Sequence, residues 1–219
     1  MPHASPGTPV TRGHGLLEGL LSKLRARRAD ALIPDHLRTG ALLDIGCGSF
    51  PYFLTHTRFA RRVGIDKSLP ADRCGRVGPG DLTLLRHDFT AAEPLPFPDA
   101  SFDVVTMLAV FEHIDLPVLR VLLGEVNRVL RPGGRYVLTT PNAWTPWLLD
   151  LLKNLRLVSH EEIDEHKGAY GPRDIAAVIE TTALAGLPRR AGTFELGVNV
   201  WACVEKPALT DAQTLRRAA

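Results

Sequence analysis

Residues 42–49, Leu42-Leu43-Asp44-Ile45-Gly46-Cys47-Gly48-Ser49, constrain this chain more than any other stretch. The short apolar run reads as a buried strand that ends in two glycines one residue apart. Glycine accepts positive φ and carries no Cβ, so the chain can turn sharply and a ligand can lie against bare backbone. Ser49 can cap a helix and Pro51 suits a first turn, so a helix is expected to open here with its N–H groups toward the ligand. Strand, glycine turn and helix start make a nucleotide-site design. The dinucleotide fingerprint needs a third glycine where Pro51 stands, which argues against a nicotinamide or flavin cofactor. Taken alone, the octapeptide reads equally well as a structural βα turn.

The rest of the chain alternates in the same style. Arg62–Asp66 reads as a second strand with an acid at its end, about twenty residues after the glycines, where a carboxylate can accept hydrogen bonds from both ribose hydroxyls. Leu82–His87 reads as a third strand, left by Asp88-Phe89; an acid beside a ring there could take an adenine amino group and cover the base, or could be a capped turn. The proline-rich 93–103 loop should be anchored by Phe97 and Phe102. Val104–Leu108 is the fourth strand. Asp115 looks like the N-cap of a helix with a buried stripe of Leu119, Leu122, Leu123, Val126 and Leu130. Arg131-Pro132-Gly133-Gly134 breaks the chain before a fifth strand, Arg135–Thr140. Upstream, residues 15–33 carry Leu16, Leu17, Leu20, Leu21 and Leu24 at helical spacing. Downstream, a helix from Gly171 to Ala185 precedes a hairpin of Arg189–Leu196 and Val198–Glu205.

With 219 residues, one α/β domain with extensions is expected: residues 1–14 disordered, 15–206 a single domain with an insert or lid at 143–170, and 207–219 a tail. The net charge of +2 is too small to imply a nucleic-acid or membrane surface. Basic clusters such as Arg61/Arg62 and Arg189/Arg190 read as solvated helix faces and chain ends. Cys47, Cys74 and Cys203 form no CxxC pair, so neither a zinc site nor a disulfide framework is indicated, and a reducing, cytoplasmic setting is expected. No run is long enough to span a bilayer.

Five segments, in this order and spacing, resemble the class I S-adenosylmethionine-dependent methyltransferases, in particular the domain family of ubiquinone/menaquinone biosynthesis. They are Leu43–Gly48, Gly64–Asp66, Leu95–Val105, Val126–Gly134 and Thr139–Asn142. The resemblance is close over residues 40–142 and looser to about 205. It implies a doubly wound, Rossmann-like methyltransferase fold: a seven-stranded, mostly parallel sheet, helices on both faces and a final antiparallel hairpin. It also implies S-adenosylmethionine as cofactor. Asp44 and the backbone of Gly46, Cys47 and Gly48 would hold the methionine part, Asp66 the ribose, and Asp88 and Phe89 the adenine. The backbone near Leu108 would hold the amine. Ser49 stands where the family often has another glycine.

Phe111-Glu112-His113-Ile114 resembles the Glu-His element of quinone-biosynthesis O-methyltransferases and of small-RNA 2′-O-methyltransferases. There, an earlier Glu and a downstream His complete a divalent-metal site. His166 sits in the region of that downstream His, but Ala109 replaces the earlier Glu, so one hard oxygen ligand is missing and no metal is expected. Without a metal, His113 or His166 could act as general base, with Glu112 beside them. His113 could equally close its loop through a structural hydrogen bond, and His166 could be an exposed insert residue.

The expected activity is methyl transfer from S-adenosylmethionine to a small-molecule acceptor, an oxygen nucleophile, by in-line displacement. An RNA ribose 2′-O-methyltransferase is disfavoured by the charge, the missing Glu and the lack of an RNA-binding module. A non-catalytic S-adenosylmethionine-binding partner protein would keep the same glycine turn and Asp66. The acceptor contacts, from the N-terminal helix and the insert, match no readable motif.

Overall fold

A computed structural model of the chain describes residues 16–78, 80–91, 93–143 and 170–208. The expected N-terminal disorder, His166, nearly all of the insert and most of the tail lie outside the described residues.

The elements in chain order are α1 (Leu16–Ala31), β1 (Ala41–Ile45), α2 (Tyr52–His56), β2 (Arg61–Asp66), β3 (Gly75–Val77), β4 (Leu82–Arg86), β5 (Phe102–Leu108), α3 (Leu116–Val129), β6 (Leu130–Pro141), α4 (Pro172–Glu180), β7 (Arg189–Phe194) and β8 (Asn199–Glu205). All eight strands form one sheet in the order β3-β4-β2-β1-β5-β6-β8-β7. Pairing is parallel from β4 through β6 and antiparallel at β3–β4, β6–β8 and β8–β7. The seven expected strands and the closing hairpin are present, and the mostly parallel α/β sheet is as expected. An eighth strand, β3, lies on the outer edge, too short and too rich in turn residues to read as a strand in the sequence.

The apolar pattern explains the layering. Every residue of β1 is buried, as a central parallel strand with both faces covered requires. Alternate strand residues feed two cores. Leu42, Val104, Val137 and Cys203 pack with Ala26, Ala29, Phe53 and Leu54 of α1 and α2. Leu43, Ile45, Val105, Tyr136 and Leu138 pack on the other face with Leu119, Leu123, Ile175 and Ile179 of α3 and α4. The stripe expected on α3 is buried throughout.

Three local expectations are revised. In the leucine run of α1, Leu20 is 51% exposed and Leu21 and Leu24 are half-buried, and the core contact is made by Ala26 and Ala29 with Leu32 and Ile33 beyond the helix. The small alanines let the helix backbone approach the sheet. Ser49 does not cap α2; Pro51 is the flanking residue, and the helix stops at His56. The break at 131–134 is absorbed inside β6 as an irregularity: Phe102 pairs with Leu130 but Val104 with Arg135. A Cβ on Gly134 would lie 2.8 Å from the carbonyl oxygens of Arg131 and Asp103, so only glycine lets this fold of chain lie on β5.

Because β1 is flanked by β2 on one side and β5 on the other, the sheet has its switch point at the C-terminal ends of β1 and β5, where open α/β sheets take ligands.

Candidate functional site

The glycine turn is pinned to β2: Gly46 and Cys47 donate their N–H groups to the carbonyl of Ile65, at 2.8 and 3.2 Å. Gly46 has φ +76°, and a Cβ there would come within 2.3 Å of Val110 Cγ2. Gly48 has φ +68° with no atom within 4 Å of an added Cβ, so its outer side is open space. Asp66 closes the turn. Its Oδ2 accepts from the Gly48 N–H at 3.0 Å and its Oδ1 from the Ser68 N–H at 2.7 Å. Asp66 thus sits at the end of β2 with its carboxylate against the turn, as the strand-end position implied.

Asp44, at 4% exposure, lies one strand over. The register sets Thr106 of β5 opposite it, and the Thr106 hydroxyl donates to Asp44 Oδ1 at 2.6 Å. Burial pushes the Asp44 carboxyl up to about 7; the Thr106 hydrogen bond opposes this, and the negative charge of Asp66 adds to it. Asp44 makes no ion pair with a described residue, although Arg25 of α1 lines the same cavity. Burial, then the charges of Asp44 and Asp66, also hold the Cys47 thiol far above its usual range, so it stays a protonated, unreactive wall.

Leu108 ends β5, and Ala109 leaves the sheet with φ +56°, its N–H bonded to the Thr139 carbonyl at 2.9 Å. A small cavity of about 80 Å³ lies between these strand ends and α1, lined by Asp44, Gly46, Cys47 and Leu108 from the sheet side and by Ser22 and Arg25 from the helix. Arg25 Nε also donates to Asn199 Oδ1 at 3.4 Å, joining α1 to the start of β8. Arg25 was not legible from its helix position, and Thr106 becomes visible only through strand pairing.

At the end of β4, Asp88 is exposed, and the Thr90 hydroxyl and N–H both bond its Oδ1, at 2.5 and 2.9 Å. Those bonds keep its carboxyl below the usual range. The Phe89 ring, at 5% exposure, packs into the α3–α4 face core, so covering a base is not its role; its backbone is what remains at the strand end. Glu112 and His113 lie in a single 3-10 turn, Phe111–His113, directly after β5. Glu112 is buried at 2% exposure and accepts from the Thr140 hydroxyl at 2.9 Å, which fastens the turn to β6. His113 is half-buried, its N–H bonded to the Val110 carbonyl at 3.0 Å. Among the described residues no group of three or more His, Cys, Asp or Glu side chains could hold a metal ion, and no helix is long and apolar enough to cross a membrane.

Residues 43–138, from β1 into β6, match the methyltransferase domain family. This match and the sheet order together support a class I S-adenosylmethionine-dependent methyltransferase domain over those residues. Relatives of this methyltransferase domain include the ubiquinone/menaquinone biosynthesis C-methyltransferase UbiE of Methylobacterium nodulans, 45% identical over 65 residues that span 29% of this chain and 25% of the relative. They also include 27-O-demethylrifamycin SV methyltransferase of Amycolatopsis mediterranei, 33% identical over 130 residues, 56% of this chain and 45% of the relative. The chain therefore spans under half the length of either relative. Among solved structures, a chain of the complex between the Haloferax volcanii Trm112 methyltransferase activator and the putative methyltransferase superimposes with a TM-score of 0.61 at 19% identity, covering 88% of this chain and 93% of that one. That likeness shows the fold. The methyltransferase cofactor, S-adenosylmethionine, suits this site: Asp44 is a buried acid facing a cavity that also holds a guanidinium, and the open side of Gly48 leaves bare backbone for a ligand.

Proposed function

We propose that this chain transfers a methyl group from S-adenosylmethionine to an oxygen nucleophile of a small-molecule acceptor. The observation that carries the reading is the pairing of the Asp66-closed glycine turn with a buried, unpaired Asp44 at the switch point of the sheet. The bound cofactor supplies a methyl group already activated on a sulfonium.

This chain's residues hold and orient. Asp44, once ionised, and the Leu108 carbonyl bind the cofactor ammonium. Arg25 meets its carboxylate. Gly46, Cys47 and Gly48 offer bare backbone to the methionine part. Asp66 accepts from the ribose hydroxyls, and Asp88 with the Phe89 backbone N–H reads the adenine edge. Positioning of this kind lowers a barrier by roughly 7–11 kcal/mol at best. His113, on the turn after β5, takes the proton of the acceptor hydroxyl at a ring nitrogen, and Glu112 acts through Thr140 to keep that turn in place. His166 is the alternative base. The oxygen preference is supported by His113 at the transfer edge and by the 27-O-demethylrifamycin SV methyltransferase relative.

Calorimetric titration with S-adenosylhomocysteine tests the cofactor site. Micromolar binding by wild type and loss in Asp66→Ala are expected, whereas no binding by folded wild type overturns the reading. Phenols, quinones and sugars are then screened with the cofactor, and the methylated atom is assigned by NMR. Exclusive carbon or nitrogen methylation removes the oxygen preference. His113→Ala is expected to lower kcat at least 100-fold while leaving cofactor affinity unchanged.

A further inference from the structure

A larger cavity lies away from the cofactor acids. The connection from β2 to β4 contains only a 3-10 turn, Ala71–Arg73, and the edge strand β3; no α-helix lies in it. A cleft of about 650 Å³ opens there, between the start of α2 and β3, with Leu82 and Leu84 of β4 in its lining. It shares Phe50 and Tyr52 with the lining of the smaller cavity, but none of Asp44, Asp66 and Asp88. The volume is in the range of small-molecule pockets, roughly 300–1,000 Å³.

The walls have a definite chemistry. Phe50 and Tyr52 supply aromatic surface, and Val77, Leu82 and Leu84 aliphatic surface. The Tyr52 ring is held by stacking on His56 at 3.8 Å. The Arg73 guanidinium lies 4.5 Å over the Phe50 ring, and its Nη1 donates to the Ser49 carbonyl at 3.2 Å, so this cation is fixed in the wall. Arg76 is 71% exposed and its contact with Asp81 is a loose 3.9 Å, a pair worth little in water. Asp72 also lines the cleft, so its own lining carries two guanidiniums and one carboxylate, with Asp81 beside Arg76 at the mouth.

We propose that this cleft is a second small-molecule site, which takes a flat apolar body carrying one anionic group. The ring system lies between Phe50 and the β4 leucines, and the anion meets Arg76 at the mouth. The inference does not rest on the methyl-transfer reading.

The test uses 8-anilinonaphthalene-1-sulfonate, a fused aromatic monoanion, followed by fluorescence. Wild type is expected to show one saturable site. Arg76→Glu, an exposed change, should weaken it about tenfold or more. Val77→Trp should abolish it by filling the cleft from an edge strand that tolerates large aromatic residues. Thermal melts confirm that both variants are folded. 2-Naphthoate should compete with the dye, and saturating S-adenosylhomocysteine should leave its affinity unchanged within about twofold. No saturable binding, wild-type affinity in both variants, or displacement by S-adenosylhomocysteine overturns the proposal. The two variants decide it even if the nucleoside does not bind.

Discussion

Asp44 makes the chain sensitive to pH. Its carboxyl ionises near 3.8 in the ordinary state and near 7 in the fold. Between those values the folded protein holds a proton that the unfolded chain has released. Stability therefore falls as pH rises from about 4 to about 7 and is level above that. The displacement is worth about 4 kcal/mol. Asp44→Asn should flatten this dependence and melt at a higher temperature than wild type at pH 8, read by thermal melting from pH 5 to 8.5. The cofactor ammonium favours the ionised acid, so wild-type affinity should climb through pH 7 relative to Asp44→Asn, which has lost the contact. Thr106→Val removes the hydroxyl that favours the ionised form, so the climb should move to higher pH. Affinities that run parallel in wild type and both variants from pH 6 to 8.5 would contradict the assignment. The placement of Asp44, Asp66 and the glycines could be read from the sequence because it depends on a strand end and the turn beside it. Thr106 and Arg25 could not, because strand register and helix docking bring them to the site from 62 residues downstream and from the other face of the cavity.

At the scale of elements, the 93–103 loop is clamped by Arg128 and Glu125 of α3. Arg128 donates to the carbonyls of Leu95 and Phe97 at 3.0 and 2.8 Å, and to Asp99 at 2.8 Å. Glu125 orients it through two bonds and accepts the Leu95 N–H at 2.7 Å. The loop then presents Phe97 edge-on to Phe102, ring centres 4.9 Å apart, as the two phenylalanines implied. Arg128→Ala strips two carbonyls of their donor and should cost about 2 kcal/mol. In a domain of this size that lowers the melting temperature by about 4–8 °C. Arg128→Lys should recover little of it, since an ammonium cannot match the fork. A melt of either variant within about 1 °C of wild type would show that the loop holds without the clamp. The end of α2 has the same kind of cause. The Thr57 hydroxyl donates to Asp30 of α1 at 2.7 Å, and Arg38 bonds both. That knot turns the chain out of the helix where its local sequence alone would allow another turn.

For the whole molecule, periodicity was sufficient to lay out the central sheet and its final hairpin, because buried parallel strands are apolar runs and their order follows from crossover helices. It did not show β3, whose three residues, Gly75, Arg76 and Val77, are half-buried or exposed. Nor did it show which residues of α1 make the core contact. Both lie at the margins, where burial no longer dictates residue type. The site lies at the centre, lined by α1, α2, β1 and β5 and closed by β2, so a bound cofactor should tie α1 to the strand ends. At a hundredfold excess over its dissociation constant, S-adenosylhomocysteine should add about 2.7 kcal/mol, which raises the melting temperature by about 5–10 °C. Gly48→Ala separates this effect from general stability. Its methyl group enters the open side of the turn at φ +68°, so the unliganded variant should lose about 1 kcal/mol to backbone strain. Its shift with ligand should disappear, because the same methyl occupies cofactor space. A variant that melts lower yet keeps the full shift would place the cofactor away from Gly48, and a wild type with no shift would mean that the nucleoside does not bridge these elements at all.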